Sequence, residues 1–162
     1  MKLLNVQGMT NEKYGEISGE ICEGTVLCLV ETQKKVNNIR TEQNIKVMES
    51  MRGMEEKKGG GIMALMKDNA YFSMYKRECE YSDCLEMRGV IGRDVLNLMV
   101  IYLGTGGERD VLDRNRELLN HLKEKLVQNE EKEEAYMIMG DLNCHLGYLG
   151  YQTENENGKI VN

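Results

Sequence analysis

The stretch Ala135-Tyr136-Met137-Ile138-Met139-Gly140-Asp141-Leu142-Asn143 decides how the chain is read. A short apolar run ends at a glycine, and an aspartate and an asparagine follow at once. The acidic segment Asn129–Glu134 precedes it and reads as a solvated loop. Bounded in this way, Ala135–Met139 is predicted to be a buried strand, because the run is too short for a helix. Its carboxyl end delivers Asp141 and Asn143. Upstream, Asp110–Gln128 sets Leu112, Leu118, Leu119, Leu122 and Leu126 at helical spacing. Gly104–Gly107 forms a turn before that helix. Val95–Tyr102 precedes the turn as another apolar strand, and Tyr102 ends it.

The amino-terminal end has a similar grammar. Lys2–Val6 reads as a strand carrying Asn5 near its end. Asn11–Glu20 reads as a surface helix capped by Thr10. Thr25–Val30 reads as a buried strand, with Glu31 directly after it. A strand, a helix and a strand in that order give a βαβ-like start and an α/β (α+β) fold class. Gln33–Lys58 is charged and weakly patterned, which predicts a helix followed by a loop. Met48, Met51 and Met54, three apart, would then share one helix face. Gly59-Gly60-Gly61 breaks the chain before a strand at Ile62–Met66. Tyr71–Tyr75 and Cys84–Arg88 join Val95–Tyr102 as a meander, with Gly89 and Gly92 marking a turn. From Gly147 onward the chain is polar, and no element is predicted there.

Composition narrows the function classes. A length of 162 residues suits one domain with a real core. Val26–Val30 and Val95–Leu103 are too short to span a bilayer, and Met1–Met9 lacks the apolar region of a signal peptide. An intracellular protein with no membrane partner is expected. The formal charge of −6 argues against tight, non-specific nucleic-acid binding, which depends on neutralising phosphates. It leaves room for an enzyme that meets phosphate through a metal ion. The five cysteines are odd in number and contain no C-x-x-C pair, so reduced thiols are expected. Cys22 and Cys28 read as buried and inert. The two histidines, His121 and His145, are not spaced as a metal pair, so zinc chemistry is not expected. His121 reads as an ordinary helix position, and His145 as a neighbour of the Gly140–Asn143 stretch outside the chemistry. Proline is absent where average usage would give about eight.

Asn5, Glu31, Tyr102, Asp141 and Asn143 all sit at or just beyond strand ends. In open α/β sheets, ligands bind outside the carboxyl ends of strands, where neighbouring ends leave a crevice. If the strands align their ends, these five residues share one cleft. Magnesium takes oxygen ligands and commonly only one or two carboxylates. Glu31 and Asp141 suit that need. Asn5 and Asn143 add neutral oxygens or amide donors, and the Tyr102 hydroxyl can donate to a phosphate oxygen. Taken singly, each is more often a turn or cap residue.

The motifs resemble, in order, those of the endonuclease/exonuclease/phosphatase superfamily, which includes exonuclease III and the apurinic endonucleases. Leu4-Asn5-Val6-Gln7-Gly8-Met9 looks like its first motif, and Val30-Glu31-Thr32-Gln33 like its second. Lys58-Gly59-Gly60-Gly61-Ile62 resembles its glycine turn, Val100-Ile101-Tyr102 its tyrosine strand, and Gly140-Asp141-Leu142-Asn143 its G-D-x-N motif. The stretch Gly140–Gly147 with Asn155–Val161 is similar to endonuclease domains of non-LTR retrotransposons. Gln7 and Gly104 depart from the family pattern, which often has an acidic residue and a proline there.

The resemblance implies a four-layer α/β sandwich of the deoxyribonuclease I-like type. Residues 1–162 would be its N-terminal two-thirds, a partial domain lacking the C-terminal segment with a later aspartate and a serine-aspartate-histidine motif. The second half of the sandwich is expected to be missing with it, leaving an apolar sheet face open. It implies Mg²⁺ (or Mn²⁺) as cofactor, held by Glu31 with Asp141, Asn143 and Asn5. Asp141 would activate or position water, Asn143 and Asn5 would orient it and the phosphate, and Tyr102 would contact the scissile phosphate. The partner would be the DNA backbone, with a reverse transcriptase domain in the parent protein and a nuclear site of action. The alternative is a catalytically inactive retroelement remnant or an interaction module. A third reading keeps the fold but replaces DNA with another phosphodiester.

Overall fold

The structure is a computed structural model that describes residues 1–33, 44–51, 60–69, 71–130 and 134–144. β1 (Lys2–Asn5) leads into α1 (Asn11–Gly19) and then β2 (Val26–Val30), which lies parallel to β1. Thr10 caps α1, and its side chain accepts the Lys13 backbone N–H. β3 (Lys46–Ser50) and β4 (Ile62–Met66) pair antiparallel, giving a first sheet in the order β1-β2-β4-β3. β5 (Phe72–Lys76), β6 (Cys84–Ile91) and β7 (Asp94–Tyr102) form an antiparallel meander. The helix α2 (Arg109–Glu130) then carries the chain back to β8 (Ala135–Asp141), parallel to β7. The second sheet runs β5-β6-β7-β8.

The two sheets pack face to face. Val26, Cys28, Val30, Ile62, Ala64 and Met66 of the first meet Met74, Leu85, Met87, Leu98, Val100 and Tyr102 of the second in one buried cluster. The alternate residues face outward. Leu27, Leu29, Met63 and Leu65 pack under Tyr14 and Ile17 of α1. Cys84, Met99 and Ile101 pack under Leu118 of α2. The layers are therefore helix, sheet, sheet, helix, the four-layer α/β sandwich. β2 and β4 are buried at every position because both of their faces are covered, which is why they read as continuous apolar runs.

Several expectations are corrected. Lys46–Ser50, inside the stretch read as helix and loop, is a strand, so Met48 faces the inter-sheet core and shares no helix face with Met51. Met54, the rest of 34–43 and 52–59, His145 and the tail after 144 lie outside the described residues. Gly89 is inside β6 and marks no turn; only Gly92 does, with a φ of +66°. α2 runs through Glu130, so the acidic loop is shorter than expected. Glu134, at its end, is no solvated residue: it pairs with Arg88 and accepts from Asn97 Nδ2 at 2.8 Å. β8 is not buried. Among the described residues it is an edge strand, with Met137 and Ile138 about two-fifths exposed at 42% and 38%. Cys22 is exposed, whereas Cys28 is buried and burial pushes its thiol up to about 12. Both sheets are present among the described residues and share a core. β7–α2–β8 is a second parallel crossover, which the sequence reading did not assemble.

Gly89 is fixed by packing. A Cβ there would run into the Ser73 carbonyl oxygen and come within 2.8 Å of the Met74 Cα on β5. Neither atom can move without breaking the ladder. Gly89→Ala is expected to cost about 1–3 kcal/mol, the usual penalty for overpacking. The urea midpoint measures it, and an unchanged midpoint would show that β5 does not lie so close.

Candidate active site at the carboxyl ends of the strands

β1 and β2 are parallel in one sheet, and β7 and β8 are parallel in the other. Face-to-face packing sets the four carboxyl ends together. Asn5 ends β1, Tyr102 ends β7, Asp141 ends β8, and Glu31 directly follows β2. The Asn5 Nδ2 donates to Asp141 Oδ2 at 3.1 Å, a contact between sheets. The Tyr102 hydroxyl lies 3.4 Å from Glu31 Oε1, a second contact between sheets. The Tyr102 ring belongs to the inter-sheet core, so only its hydroxyl reaches the site. Each sequence-predicted residue is thus at this end of the sandwich.

The loops that follow the strands are laced together. Gly8 N–H donates to the Glu31 carbonyl and Met9 N–H to the Thr32 carbonyl, both at 2.8 Å. Thr32 and Gln33 N–H groups donate to the carbonyls of Gly61 and Gly60. Lys13 Nζ reaches the carbonyls of Val6 and Gly8 at 2.7 and 3.0 Å. The Asn5 Oδ1 accepts from Gln7 N–H at 3.1 Å. On the other sheet, buried Asn115 of α2 brackets Gly104, accepting from its N–H and donating to its carbonyl, both at 3.0 Å.

Asp141 is held on both oxygens: Oδ2 by Asn5, and Oδ1 by the Asn143 backbone N–H at 3.0 Å. A carboxylate has about four acceptor sites, so two bonds fix its orientation and leave room for further ligands. The Asn143 amide donates to the Leu103 carbonyl at 2.8 Å, which ties the loop after β8 to the loop after β7. That contact makes Asn143 a positioning residue for Asp141. Backbone strain gathers here too. Gln7, Glu31, Gln33 and Asn143 have φ of +47°, +59°, +52° and +46°, four of the five non-glycine residues with positive φ among those described. Such conformations cost on the order of 1 kcal/mol or more each and persist where surroundings enforce them, often at functional sites.

The donors of Glu31, Asp141, Asn5 and Asn143 are carboxylate and amide oxygens, a hard set that fits Mg²⁺ or Mn²⁺. Glu31 and Asp141 would supply the carboxylates. Sequence reasoning missed a second cluster, Cys79, Cys84, Glu86 and His121, whose ligating atoms lie within 4.8 Å of one another. Its members are separated by up to 42 residues, so no local pattern announces it. The Cys84-x-Glu86 alternation on one strand is the only local signal.

Asn143 gives a direct check on the geometry. Asn143→Ala removes the bond to Leu103 and puts alanine, which tolerates the left-handed region less well than asparagine, at a φ of +46°. It is expected to cost about 1–2 kcal/mol by urea unfolding. Asn143→Gly removes the same bond but relieves the strain, and should cost less.

No family model matches the chain, and no curated protein is similar to it. Solved structures are. The AP endonuclease LMAP from Leishmania major aligns with a TM-score of 0.64 at 15% identity, over 98% of this chain and 63% of that one. The endonuclease domain of TRAS1, a telomere-specific non-LTR retrotransposon, aligns with a TM-score of 0.54 at 9% identity, over 97% of this chain and 64% of that one. The chain therefore spans somewhat under two-thirds of the length of each. With both sheets, both crossovers and the strand-end arrangement in place, the chain shares the fold of these two endonuclease structures.

Proposed function

We propose that this chain is the nuclease part of a retroelement protein and hydrolyses phosphodiester bonds in DNA with Mg²⁺ or Mn²⁺. The observation that carries the reading is the convergence of Asn5, Glu31, Tyr102 and Asp141 from four strands of two sheets at one end of the sandwich. The likeness to an AP endonuclease and to a retrotransposon endonuclease supports DNA as the substrate. On this reading a reverse transcriptase would adjoin the chain in its parent protein, and the work would be done on chromosomal DNA in the nucleus.

The chemistry follows from the side chains. When bound, a divalent cation lowers the pKa of water and polarises a phosphoryl oxygen. Glu31 and Asp141 would hold that cation through their carboxylates. Asp141, fixed by Asn5 and Asn143, accepts a proton from the attacking water as its oxygen bonds to phosphorus; the phosphorus–sugar oxygen bond breaks, and the departing oxygen takes a proton from solvent. The Tyr102 hydroxyl turns from Glu31 to a non-bridging phosphate oxygen as the charge there grows. Asn5 keeps the two sheets in register across the reacting centre.

Relaxation of supercoiled plasmid in Mg²⁺ tests the proposal. The wild-type chain is expected to nick and to stop when the metal is chelated. Glu31→Ala and Asp141→Ala should each slow nicking about a hundredfold or more, the scale of a lost metal ligand or water-positioning group. Nicking by both variants at the wild-type rate overturns the assignment. A second reading, a non-hydrolytic interaction module, is favoured by the exposed Met137 and Ile138 of β8 and by the net charge of −6. A folded wild-type chain that fails to nick in either Mg²⁺ or Mn²⁺ would select it.

A further inference from the structure

The second cluster lies on the opposite face of its sheet from the candidate active site. Cys84 and Glu86 are two apart on β6 and point to the same side, toward α2. Leu85 and Met87 point the other way, into the core shared with Tyr102. Cys79 comes from the connection between β5 and β6. His121 comes from α2, and Lys125, one turn further on, joins it. Three separate elements thus bring two thiols, an imidazole and a carboxylate within 4.8 Å of one another.

The local contacts are unusual for an ion pair alone. Glu86 is buried, with Oε1 2.7 Å from His121 Nε2 and Oε2 3.1 Å from Lys125 Nζ. Those two contacts are enough to satisfy the carboxylate. The thiols of Cys79 and Cys84 lie against each other within hydrogen-bond reach, so all four groups crowd one point. The same Nε2 that faces Glu86 also lies 3.9 Å from Cys79 Sγ. A ring nitrogen carries one proton at most and serves one acceptor well. A cation at the centre would serve all four groups at once.

We propose that Cys79, Cys84, Glu86 and His121 form a structural site for a zinc-class divalent metal ion. Tetrahedral zinc with thiolate and imidazole ligands puts those donor atoms about 3.5–3.8 Å apart, close to the spacing found between Cys79 and His121. The contact between His121 and Glu86 opens by about half an ångström to admit the ion. Two soft thiolates select zinc or another late first-row metal over the magnesium suited to the all-oxygen site on the other face. Binding releases the two thiol protons to solvent, and the proton that His121 Nε2 shares with Glu86 passes through solvent to Nδ1 or, from an imidazolium, leaves with them. The two thiolates and the carboxylate then balance the ion and Lys125. Lys125 stays on Glu86 Oε2 and orients it, as outer groups commonly do for metal ligands. Four protein ligands leave no open position, so the ion would staple α2 and the connection before β6 onto the sheet and would perform no chemistry. A surface cavity of about 640 Å³, lined by Cys79, His121 and their neighbours from Lys76 to Glu80, gives the ion a path in.

The test uses the reduced, metal-stripped chain titrated with Co²⁺. One equivalent is expected to bind with thiolate-to-cobalt charge-transfer absorption and the visible bands of tetrahedral cobalt, and Zn²⁺ should displace it. Cys79→Ser and His121→Ala should each weaken binding at least about tenfold while keeping the circular dichroism of the wild type. Cys22→Ser should bind normally. Zn²⁺ should raise the thermal midpoint of the wild type and leave that of His121→Ala unchanged. The proposal is overturned if the reduced chain shows no charge-transfer band at stoichiometric Co²⁺. It is equally overturned if the band survives in Cys79→Ser and His121→Ala, or if Cys79 and Cys84 are recovered as a disulfide and bind no metal after reduction.

Discussion

The apolar contact between the two sheets is the constraint on which everything else rests. Val30 at the end of β2 and Tyr102 at the end of β7 both belong to the shared core. Each is followed or completed by a polar group that the core cannot hold: Glu31 in the first case, the phenol oxygen in the second. Packing therefore decides where the core stops and the polar end begins. Sliding one sheet along the other by a single residue would offset the facing side chains by about 3.3 Å and separate Asn5 from Asp141. The hydrogen bond between those two residues is weak in energy, but it can form only in the one register that the core selects.

How much of this was legible depended on whether a signal was local. The motifs around Asn5, Glu31, Tyr102 and Asp141 could be read because each lies at the end of an apolar run within a few residues. β2 and β4 were plain because both faces are covered. β3 was not, because Lys46 and Glu49 interrupt it, and a strand with one covered face and a charged partner looks like a helix-forming stretch. Lys46 in fact reaches across to Asp68 and to the Met74 carbonyl, a tertiary partner that no window of sequence contains. β8 was expected to be buried from its composition, and its edge position could not be seen without knowing the strand order. Gly89 looked like a turn residue because close backbone approach within a sheet and a tight turn select the same amino acid. The group around Glu86 was invisible for the same reason as the pairing of Lys46: its parts meet only in the fold.

The absence of proline gives the loops at the polar end a particular character. Their conformations are set by hydrogen bonds and by residues held at positive φ, with no rigid rings to help. Gln7, Glu31 and Gln33 owe their backbone geometry to cross-loop bonds from Gly8, Met9, Thr32 and Gln33. Gly61 shows how tight the arrangement is, since a Cβ there would come within 2.7 Å of Thr32 Oγ1. The loops are thus mutually dependent, and loosening one frees the next.

Asn5 and Asp141 are separated by 136 positions along the chain. A contact that distant closes a loop containing nearly every other element, and closing long loops is slow. On a ribosome, β1 emerges first and must wait for β8 before its end has a partner. The first sheet can assemble from residues up to Met66 alone. The polar end of the sandwich is consequently the last feature to mature, and a nascent chain passes through most of its folding before Asn5 meets Asp141.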